Sequence, residues 1–588
     1  MTSAEGAAAT SVAGRRFGAF RAEAALLLLL AAATVGLWIA SRGKWSDAII
    51  DTGTEWIYAD SLARGDLLYR DLIYWFGPFT PYFQAAFLRV FGSGFPALVI
   101  AGVVGSLATL AALYALLRRV TGRWEAIAWT GLAVAALVFL PDAGGSILGM
   151  GYRIWHPAAF TLIALSLASR PSAGNAKGRA MVAGLLCGLA GLCRTEWGLI
   201  ALAGVATAQA VLSRPRWMRD VFLSAACAAG LFGAGLGAFV LAAGGDAVLS
   251  DGHVLLTGIS PETRKFLVHF SGLDDWRKGL VQMLYSAAMW TGGVFVIERL
   301  TTGRGRRVPV FVAVGLVLVI SAALGGAHGA VLFSAAPLAC VAAIPAGLLR
   351  RGRPHGAALA AAGVAGLLAM HRRFLHIVDS PYVGPPLLFA FVAAAGLLHR
   401  VIVRRPGPAR RRLRLALAAG LAVLVTTAFA GRIAQYSSTE RVAIAGTGGM
   451  VGANPRVARE IEATAERVRR STSDGDFLVV FPEGQILNAL SGRRNPLRQK
   501  LYIPGYLTER DEGAILREMS RVRPSAIVVW PRLTTEYGPG RFGEDYARGV
   551  MRWILDHYSE QSPPIPRSRV RIFLERPDSA ASPPEPPV

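Results

Sequence analysis

Apolar runs, each close to the length of a membrane-spanning helix, are the feature that most restricts the fold of this chain. A spanning helix needs about 20 mainly apolar residues, and the first run reads AEAALLLLLAAATVGLWIA, directly after Arg21. Hydrophobic residues make up 53% of the 588 residues and charged residues only 17%, whereas globular proteins average roughly 25% charged residues. About thirteen runs begin near residues 22, 95, 125, 155, 180, 198, 220, 279, 309, 328, 356, 385 and 414. These runs predict an all-α polytopic membrane bundle over residues 22–430.

The loops between these runs give the orientation of the chain. Basic loops such as RRVTGR, RPSAGNAKGR, RPRWMR and RLTTGRGRR alternate with the acidic segments DTGTEWIYAD, PDAGG, SDGH and LDD. Because short cytoplasmic loops carry the excess of arginine and lysine, we expect a cytoplasmic tail at 1–21 and the N-terminus inside. With an odd number of spans, the region from 431 lies outside. The formal net charge of +24 is thus topogenic, and we expect no nucleic-acid partner.

The region 431–575 is predicted to be a small extracytoplasmic α/β domain. GDFLVVFP (475–482) and SAIVVWP (525–531) are short apolar runs typical of buried strands, and 509–522 and 542–558 are typical of amphipathic helices. This alternation of strand and helix favours an α/β fold. The proline-rich end, 576–588, is predicted to be disordered. All four cysteines lie in apolar runs, so we expect no disulfide in the outer domain.

The first outer loop, residues 41–94, is unusually long and acidic. Structureless loops of this size are uncommon and usually functional, and the pattern predicts amphipathic helices at 56–68 and 82–90, lying at the membrane face. The six acidic residues of the loop are Asp47, Asp51, Glu55, Asp60, Asp66 and Asp71.

Asp51 is the best candidate among these acids for a chemical role. The sequence IIDTGTEW places it between apolar and aromatic residues, where loss of hydration raises the pKa of a carboxyl group. Such a group is suited to accept a proton from a hydroxyl. The alternative is that the acids only solvate an outer loop, and for Asp60 and Asp66 we favour that interpretation.

The loop also carries a family resemblance. The stretch DTGTEWIYADSLARGDLLYRDLIYWFGPFTPYFQAAFLRVFG resembles the first outer loop of the GT-C glycosyltransferases, in particular the bacterial branch related to protein O-mannosyltransferases and to the lipid A aminoarabinose transferase. The matching residues are Asp51 soon after the first span, the turn Tyr69, Arg70 and Asp71, and the prolines Pro78 and Pro81. The segment FPEGQILNALSGRRNPLR resembles the outer domain of bacterial members. Asp51 is followed by Thr52 where the family pairs aspartate with glutamate, which leaves the acceptor open.

The resemblance implies a polyprenyl-phosphate sugar as donor and a site on the outer face of a bacterial cytoplasmic membrane. The donor phosphate becomes the leaving group, and the planar guanidinium of arginine suits it. The first candidate is Arg194 in CRTEWG, for which an ion pair with Glu196 is an equal alternative. The second is Arg153 in GMGYRIWHP, for which an interfacial aromatic belt with a snorkelling arginine is the favoured alternative. Asp142 is equally well explained as a turn residue. The expected substrate-binding residues are Glu55, Tyr69, Arg70, Asp71, Asp142, Tyr152, His156 and Glu196.

Together these features predict a membrane glycosyltransferase that uses Asp51 as general base on a hydroxyl of a glycolipid, a cell-envelope polysaccharide or a protein. A divalent metal beside Asp51 would be compatible with this chemistry, although nothing requires one and no metal ligands are assigned. The alternative from another class is a transporter or flippase of lipid-linked glycans. That alternative predicts charged residues in mid-span, yet no acidic residue occurs from 299 to 378. Membrane lipids are the remaining expected partners.

Overall fold

The computed structural model describes residues 2–140, 145–148, 152–171, 175–212, 216–252, 261–302, 330–371, 384–504, 506–507 and 509–576. The helices of the membrane half are α1 (Thr2–Ser41), α2 (Gly53–Arg64), α3 (Phe79–Phe91), α4 (Phe95–Val120), α5 (Arg123–Ala133), α6 (Tyr152–Ala168), α7 (Ala176–Cys193), α8 (Thr195–Leu212), α9 (Trp217–Ala243), α10 (Gly245–Gly252), α11 (Pro261–Ser271), α12 (Trp276–Thr302), α13 (Ala336–Leu348), α14 (Pro354–Ala369), α15 (Gly384–Val403) and α16 (Gly407–Ser438). Two π-helical turns, Ala48–Thr52 and Val134–Val138, and a 3₁₀ turn, Ala330–Ala335, accompany them.

Among the described residues, seven helices are long and apolar enough to cross a membrane. They are α4, α7, α8, α9, α15, α16 and the segment Arg21–Ser41 of α1. Two further apolar stretches, Phe333–Leu348 and Pro354–Ala369, are shorter. The predicted run from residue 309 lies outside the described residues, so the count of thirteen spans stays a prediction.

Small residues allow the spanning helices to approach one another closely. A Cβ at Gly184 of α7 would lie 2.3 Å from the carbonyl oxygen of Ser224 on α9, and one at Gly188 would lie 2.9 Å from that of Ala228. The Ser224 hydroxyl donates to the carbonyl oxygen of Ala180 (2.8 Å) and accepts from the Gln209 amide (2.8 Å). In a membrane the hydrophobic effect does not drive helices together, so close backbone packing and interhelical hydrogen bonds stabilise their association.

The first outer loop folds into the two predicted helices, but their surroundings differ from the prediction. Residues 53–62 of α2 are buried on every face, so α2 does not lie open at the membrane surface. Asp60 was expected to be a solvated acid, and this is wrong: it is only 3% exposed. It pairs with Arg64 and accepts a hydrogen bond from Ser93, which compensates its burial.

The region from residue 439, which was predicted to be extracytoplasmic and is called the outer domain below, contains helices, a two-stranded sheet of β1 and β2, and a four-stranded sheet. Its helices are α17 (Pro455–Ser471), α18 (Ile486–Ser491), α19 (Glu509–Val522) and α20 (Arg548–His557), with a 3₁₀ turn at Thr535–Tyr537. Its strands are β1 (Val442–Ala443), β2 (Gly452–Ala453), β3 (Leu478–Phe481), β4 (Ala526–Val529), β5 (Tyr558–Glu560) and β6 (Arg571–Glu575). The sheet order is β3-β4-β6-β5, in which β3 and β4 are parallel and the other pairs antiparallel.

The strands and helices predicted in this region are present, with one shorter than expected. β3 and β4 form the centre of the apolar runs at 475–482 and 525–531, and α19 covers 509–522. The helix predicted over 542–558 begins only at Arg548, because Gly543 adopts a φ of +81° and its N–H donates to the carbonyl oxygen of Tyr546 in a turn (2.7 Å). The elements that were not predicted are α17, α18, β1, β2, β5 and β6.

The outer domain rests directly on the first outer loop. Gly53, at the start of α2, faces the backbone that leads into α18: a Cβ there would lie 2.1 Å from the amide nitrogen of Ile486 and 2.7 Å from the carbonyl carbon of Gln485. Arg498 donates to the carbonyl oxygens of Arg70 (2.9 Å) and Tyr69 (2.8 Å). Through these contacts the outer domain covers the first outer loop.

We expect Gly53→Ala to weaken this docking. Gly53 has a helical φ of −65°, so lack of space, and not backbone conformation, excludes a side chain. Overpacking of this kind costs about 1–3 kcal/mol, measurable as a lower unfolding midpoint in detergent and faster proteolysis of the outer domain. The matched control is Gly36→Ala in α1, where nothing lies within 4 Å of the added Cβ. Equal behaviour of the two variants would contradict the proposed contact.

Candidate active site

Asp51 lies in the π-helical turn that connects the first span to α2. The turn starts at Asp47, whose carboxylate accepts hydrogen bonds from the amides of Ile49 and Ile50 (both 2.8 Å). This cap fixes the backbone that presents Asp51, which is 3% exposed. Its Oδ1 is buried and has no hydrogen-bond partner. Since buried polar atoms are nearly always paired, an unpaired carboxylate oxygen is a group that is available for a reaction.

The electrostatic surroundings of Asp51 favour its protonated form. Burial raises the pKa of Asp51 well above its ordinary value, and the negative charges of Glu483, Asp47 and Glu55 raise it further. The positive charge of Arg153 acts in the opposite direction but does not cancel these effects. Asp51 therefore has the environment expected of a proton acceptor whose basicity has been increased.

Glu55 and Arg153 form a buried ion pair beside Asp51. Glu55 lies one turn further along the chain, on α2, and its Oε1 is 2.7 Å from Nε of Arg153 on α6, with side chains 2% and 5% exposed. Gln84 of α3 donates to the other oxygen of Glu55 (3.1 Å). The pair thus joins three helices. Because Arg153 is buried and paired with Glu55, the alternative of a snorkelling arginine in an aromatic belt does not fit it. Its Nη2 is also buried and makes no hydrogen bond.

Phe76 brings the two arginines predicted to bind phosphate close together. The guanidinium carbon of Arg153 lies 4.8 Å from the centre of the Phe76 ring, and that of Arg194 lies 5.0 Å from it. Arg194 also forms the ion pair with Glu196 that the sequence left open (2.7 Å). The next residue, Gly77, packs so closely on the end of α7 that a Cβ would lie 2.0 Å from the carbonyl oxygen of Leu192.

An aromatic cleft lies between the first outer loop and the outer domain. Its walls are Thr54, Tyr58, Ile73, Tyr74, Trp75, Phe76, Arg153, Gln499, Leu501 and Tyr506. Trp75 and Tyr506 stack face to face with ring centres 3.6 Å apart, so each side of the interface contributes one ring. The Tyr74 hydroxyl is buried and has no hydrogen-bond partner. The space between these groups measures only about 10 Å³, far less than the pockets that bind small molecules, so in this structure the aromatic rings close the cleft.

The outer domain contributes a carboxyl group that sequence reasoning did not find. Glu483 lies between β3 and α18, is 1% exposed and pairs with Arg532 (2.9 Å). Burial raises the pKa of Glu483 to about 7, against the lowering effect of Arg532. Its one signal in the sequence is the position of an acidic residue directly after the apolar run of a buried strand.

The remaining predicted residues have structural contacts. The Tyr69 hydroxyl donates to the carbonyl oxygen of Phe76 (2.9 Å). Arg70 and Asp71 pair with each other at the surface (2.7 Å). The Tyr152 hydroxyl donates to the carbonyl oxygen of Leu98 (2.9 Å). The structure does not bring these four side chains to Asp51. Asp142 lies outside the described residues.

His156 is enclosed in the membrane half. Its Nδ1 lies 3.2 Å from the Thr80 hydroxyl, and its ring contacts Phe79, Phe83 and Tyr152. His156 therefore packs α6 against α3 and does not line the cleft.

The residues around Asp51 do not form a metal site of the usual kind. Among the described residues, no group of three or more histidine, cysteine, aspartate or glutamate side chains is arranged to hold a metal ion. Arg153 also places a positive charge next to these carboxylates. The described residues therefore give no support for a divalent ion beside Asp51, and we assign no step to one.

Comparison with known structures gives the fold class. No protein-family profile and no curated protein sequence matches the chain. The apo crystal structure of ArnT from Cupriavidus metallidurans is similar with a TM-score of 0.54 and 13% identity, over 95% of this chain and 99% of that chain. The same protein bound to undecaprenyl phosphate gives 0.52 and 14%, over 94% and 98%. The comparison confirms the predicted architecture, an ArnT-like fold in which a helical membrane domain is followed by a small strand-containing region.

We expect the buried Glu55–Arg153 pair to dominate the stability of the site. Glu55→Gln leaves the guanidinium of Arg153 buried without its counter-charge, which costs about 3–5 kcal/mol for a pair of this kind. The measurement is the unfolding midpoint in detergent. Asp71→Asn, which breaks the surface pair with Arg70, is the control and should change the midpoint much less. The double variant Glu55→Gln/Arg153→Gln should recover part of the loss, and no recovery would contradict the charge argument.

Proposed function

We propose that this protein is a membrane glycosyltransferase that moves a sugar from a polyprenyl-phosphate carrier to a hydroxyl acceptor on the outer face of the bacterial cytoplasmic membrane. The observation that carries the proposal is Asp51, a buried carboxyl group with an unpaired oxygen and a raised pKa. The GT-C fold supports the class of reaction. The structure of ArnT bound to undecaprenyl phosphate supports an isoprenoid phosphate as carrier. The acceptor class is a glycolipid, a cell-envelope polysaccharide or a protein.

In the proposed reaction, Asp51 accepts the proton of the acceptor hydroxyl. The hydroxyl oxygen then forms a bond to the anomeric carbon of the donor, while the bond from that carbon to the phosphate oxygen breaks. The electron pair of the broken bond stays on the phosphate, so direct displacement inverts the anomeric centre. A base with a raised pKa holds the transferred proton more firmly, which matches its strength to this task.

The two arginines on Phe76 are proposed to hold the donor phosphate. Negative charge grows on the phosphate as it leaves, and a guanidinium stabilises it with charge-assisted hydrogen bonds. Arg153 has a buried Nη2 that makes no hydrogen bond and that is available to a phosphate oxygen. The rings of Tyr58, Tyr74 and Trp75 in the cleft are proposed to contact the sugar.

We expect Asp51→Asn to reduce transfer by about 10²–10⁴-fold, the usual contribution of a general base. The assay uses protein in nanodiscs with a panel of radiolabelled polyprenyl-phosphate sugars and a membrane extract as acceptor, and it follows release of free polyprenyl phosphate. Asp71→Asn, an exposed carboxylate of the same loop, is the matched control and should retain activity. Full activity of Asp51→Asn would remove the proposed base. Net movement of intact donor across the membrane without turnover would favour the transporter.

The pH dependence should report the same carboxyl group. Asp51 must be ionised to accept a proton, and its folded-state pKa is raised well above the ordinary 3.8. Transfer should therefore fall as the pH decreases through that raised value, and the acid limb of kcat/KM should lie well above the range of a solvated aspartate. A rate profile that stays flat down to the ordinary aspartate range would contradict the burial of Asp51 in the free enzyme.

A further inference from the structure

The interface between the outer domain and the first outer loop lies two residues from Asp51. Gly53 touches the backbone of Gln485 and Ile486 with no room for a Cβ, so the segment 482–485, which carries Glu483, cannot move away without undocking the domain. Asn488 of α18 anchors this segment by donating to the carbonyl oxygens of Leu478 (2.9 Å) and Arg493 (3.0 Å). Glu483 therefore belongs to a segment that is held against the start of α2.

Two nearly inaccessible carboxyl groups lie on opposite sides of this interface, each within three residues of the contact between Gly53 and Gln485–Ile486. Asp51 is 3% and Glu483 1% exposed, and among the charged groups acting on Asp51 the strongest is Glu483. Like charges in a desolvated site raise the energy of the doubly ionised state. Glu483 is partly neutralised by Arg532 (2.9 Å), whereas Asp51 has an oxygen without any hydrogen-bond partner.

We propose that Glu483 is a positioning residue of the outer domain that adjusts the basicity of Asp51 across the docked interface. The outer domain then does more than cover the cleft, because its docking completes the electrostatic environment of the base. Only the catalytic consequence rests on the proposed function; the interaction between the two carboxyl groups is a property of the fold. The inference therefore has one test that needs no substrate and one that does.

A test of this proposal must separate the effect of Glu483 on Asp51 from the effects of the other charged groups nearby. Asp51 is also acted on by Asp47, Glu55 and Arg153, and Glu483 by Arg532, Glu536 and Asp47. Glu536 contacts the same arginine as Glu483 but has a side chain that is 34% exposed. Glu536→Gln therefore removes the same charge from the same arginine and serves as the matched control for Glu483→Gln.

The substrate-free test is a double-mutant cycle on the unfolding midpoint, with Asp51→Asn and Glu483→Gln alone and combined. At pH 8.5 Glu483 is ionised, because its pKa is about 7, and where Asp51 is ionised too, as its proposed role as a base requires, Glu483→Gln relieves repulsion only in the chain that retains Asp51. We expect the effects to be non-additive by roughly 1–2 °C at pH 8.5 and additive at pH 5, where Glu483 is protonated. Additivity at both pH values, or equal non-additivity with Glu536→Gln, would overturn the inference.

The second test follows transfer as a function of pH. Removing the negative charge of Glu483 lowers the pKa of Asp51, so the acid limb of kcat/KM in Glu483→Gln should move to lower pH by about 0.5 unit or more. Glu483→Asp keeps the charge and should leave the limb near that of the wild type, which also covers the case in which the amide variant does not fold. An unmoved limb with intact transfer overturns the catalytic role. Absence of transfer in the wild type would instead count against the proposed function, and the cycle would still decide the interaction.

Discussion

The buried ion pair of Glu55 and Arg153 is the interaction on which the rest of the site depends. Taking two charges out of water costs several kcal/mol for each ion, and only close pairing and additional hydrogen bonds compensate for it. Here the compensation comes from three helices, because Glu55 is on α2, Gln84 on α3 and Arg153 on α6. The pair therefore fixes the first outer loop on the membrane bundle, and with it the turn that presents Asp51 and the ring of Phe76.

The contrast between Asp51 and Glu55 separates stabilisation from reactivity. The two carboxyl groups are one helical turn apart and equally inaccessible. Oε1 of Glu55 and Oδ1 of Asp51 both make no hydrogen bond, but Oε1 of Glu55 lies 2.7 Å from the positively charged Nε of Arg153, and the other oxygen of Glu55 accepts a hydrogen bond from Gln84. A carboxylate that lies against a guanidinium holds the structure together, while one without such a partner keeps its lone pairs for a proton. The same burial thus gives one acid a structural role and leaves the other free for the proposed chemistry.

The sequence predicted those features that depend on local pattern. Long apolar runs indicated the helical membrane fold, short apolar runs indicated β3 and β4, and an amphipathic pattern indicated α19. The apolar neighbours of Asp51 indicated its burial. The partners were not predictable, because pairing of Glu55 with Arg153 joins distant parts of the chain. For the same reason neither the burial of Asp60 against Ser93 nor the place of Glu483 at the interface with the first outer loop was predictable. From sequence alone, an acidic residue in a polar segment is predicted to be solvated, because the element that covers it in the fold is not known.

Both arginines on Phe76 are already paired with a carboxylate, and this bears on how a phosphate would be bound. A guanidinium has five N–H donors in a planar fork, and Glu55 lies against only one edge of that of Arg153, whose Nη2 makes no hydrogen bond. Binding of a phosphate would not require the ion pair to break. An unpaired arginine in its place would be an uncompensated buried charge whenever the site is empty. The ion pair therefore stabilises the buried guanidinium when no phosphate is bound, and Nη2 of Arg153 can still donate to an anion. The pair also lowers the net positive charge around that guanidinium.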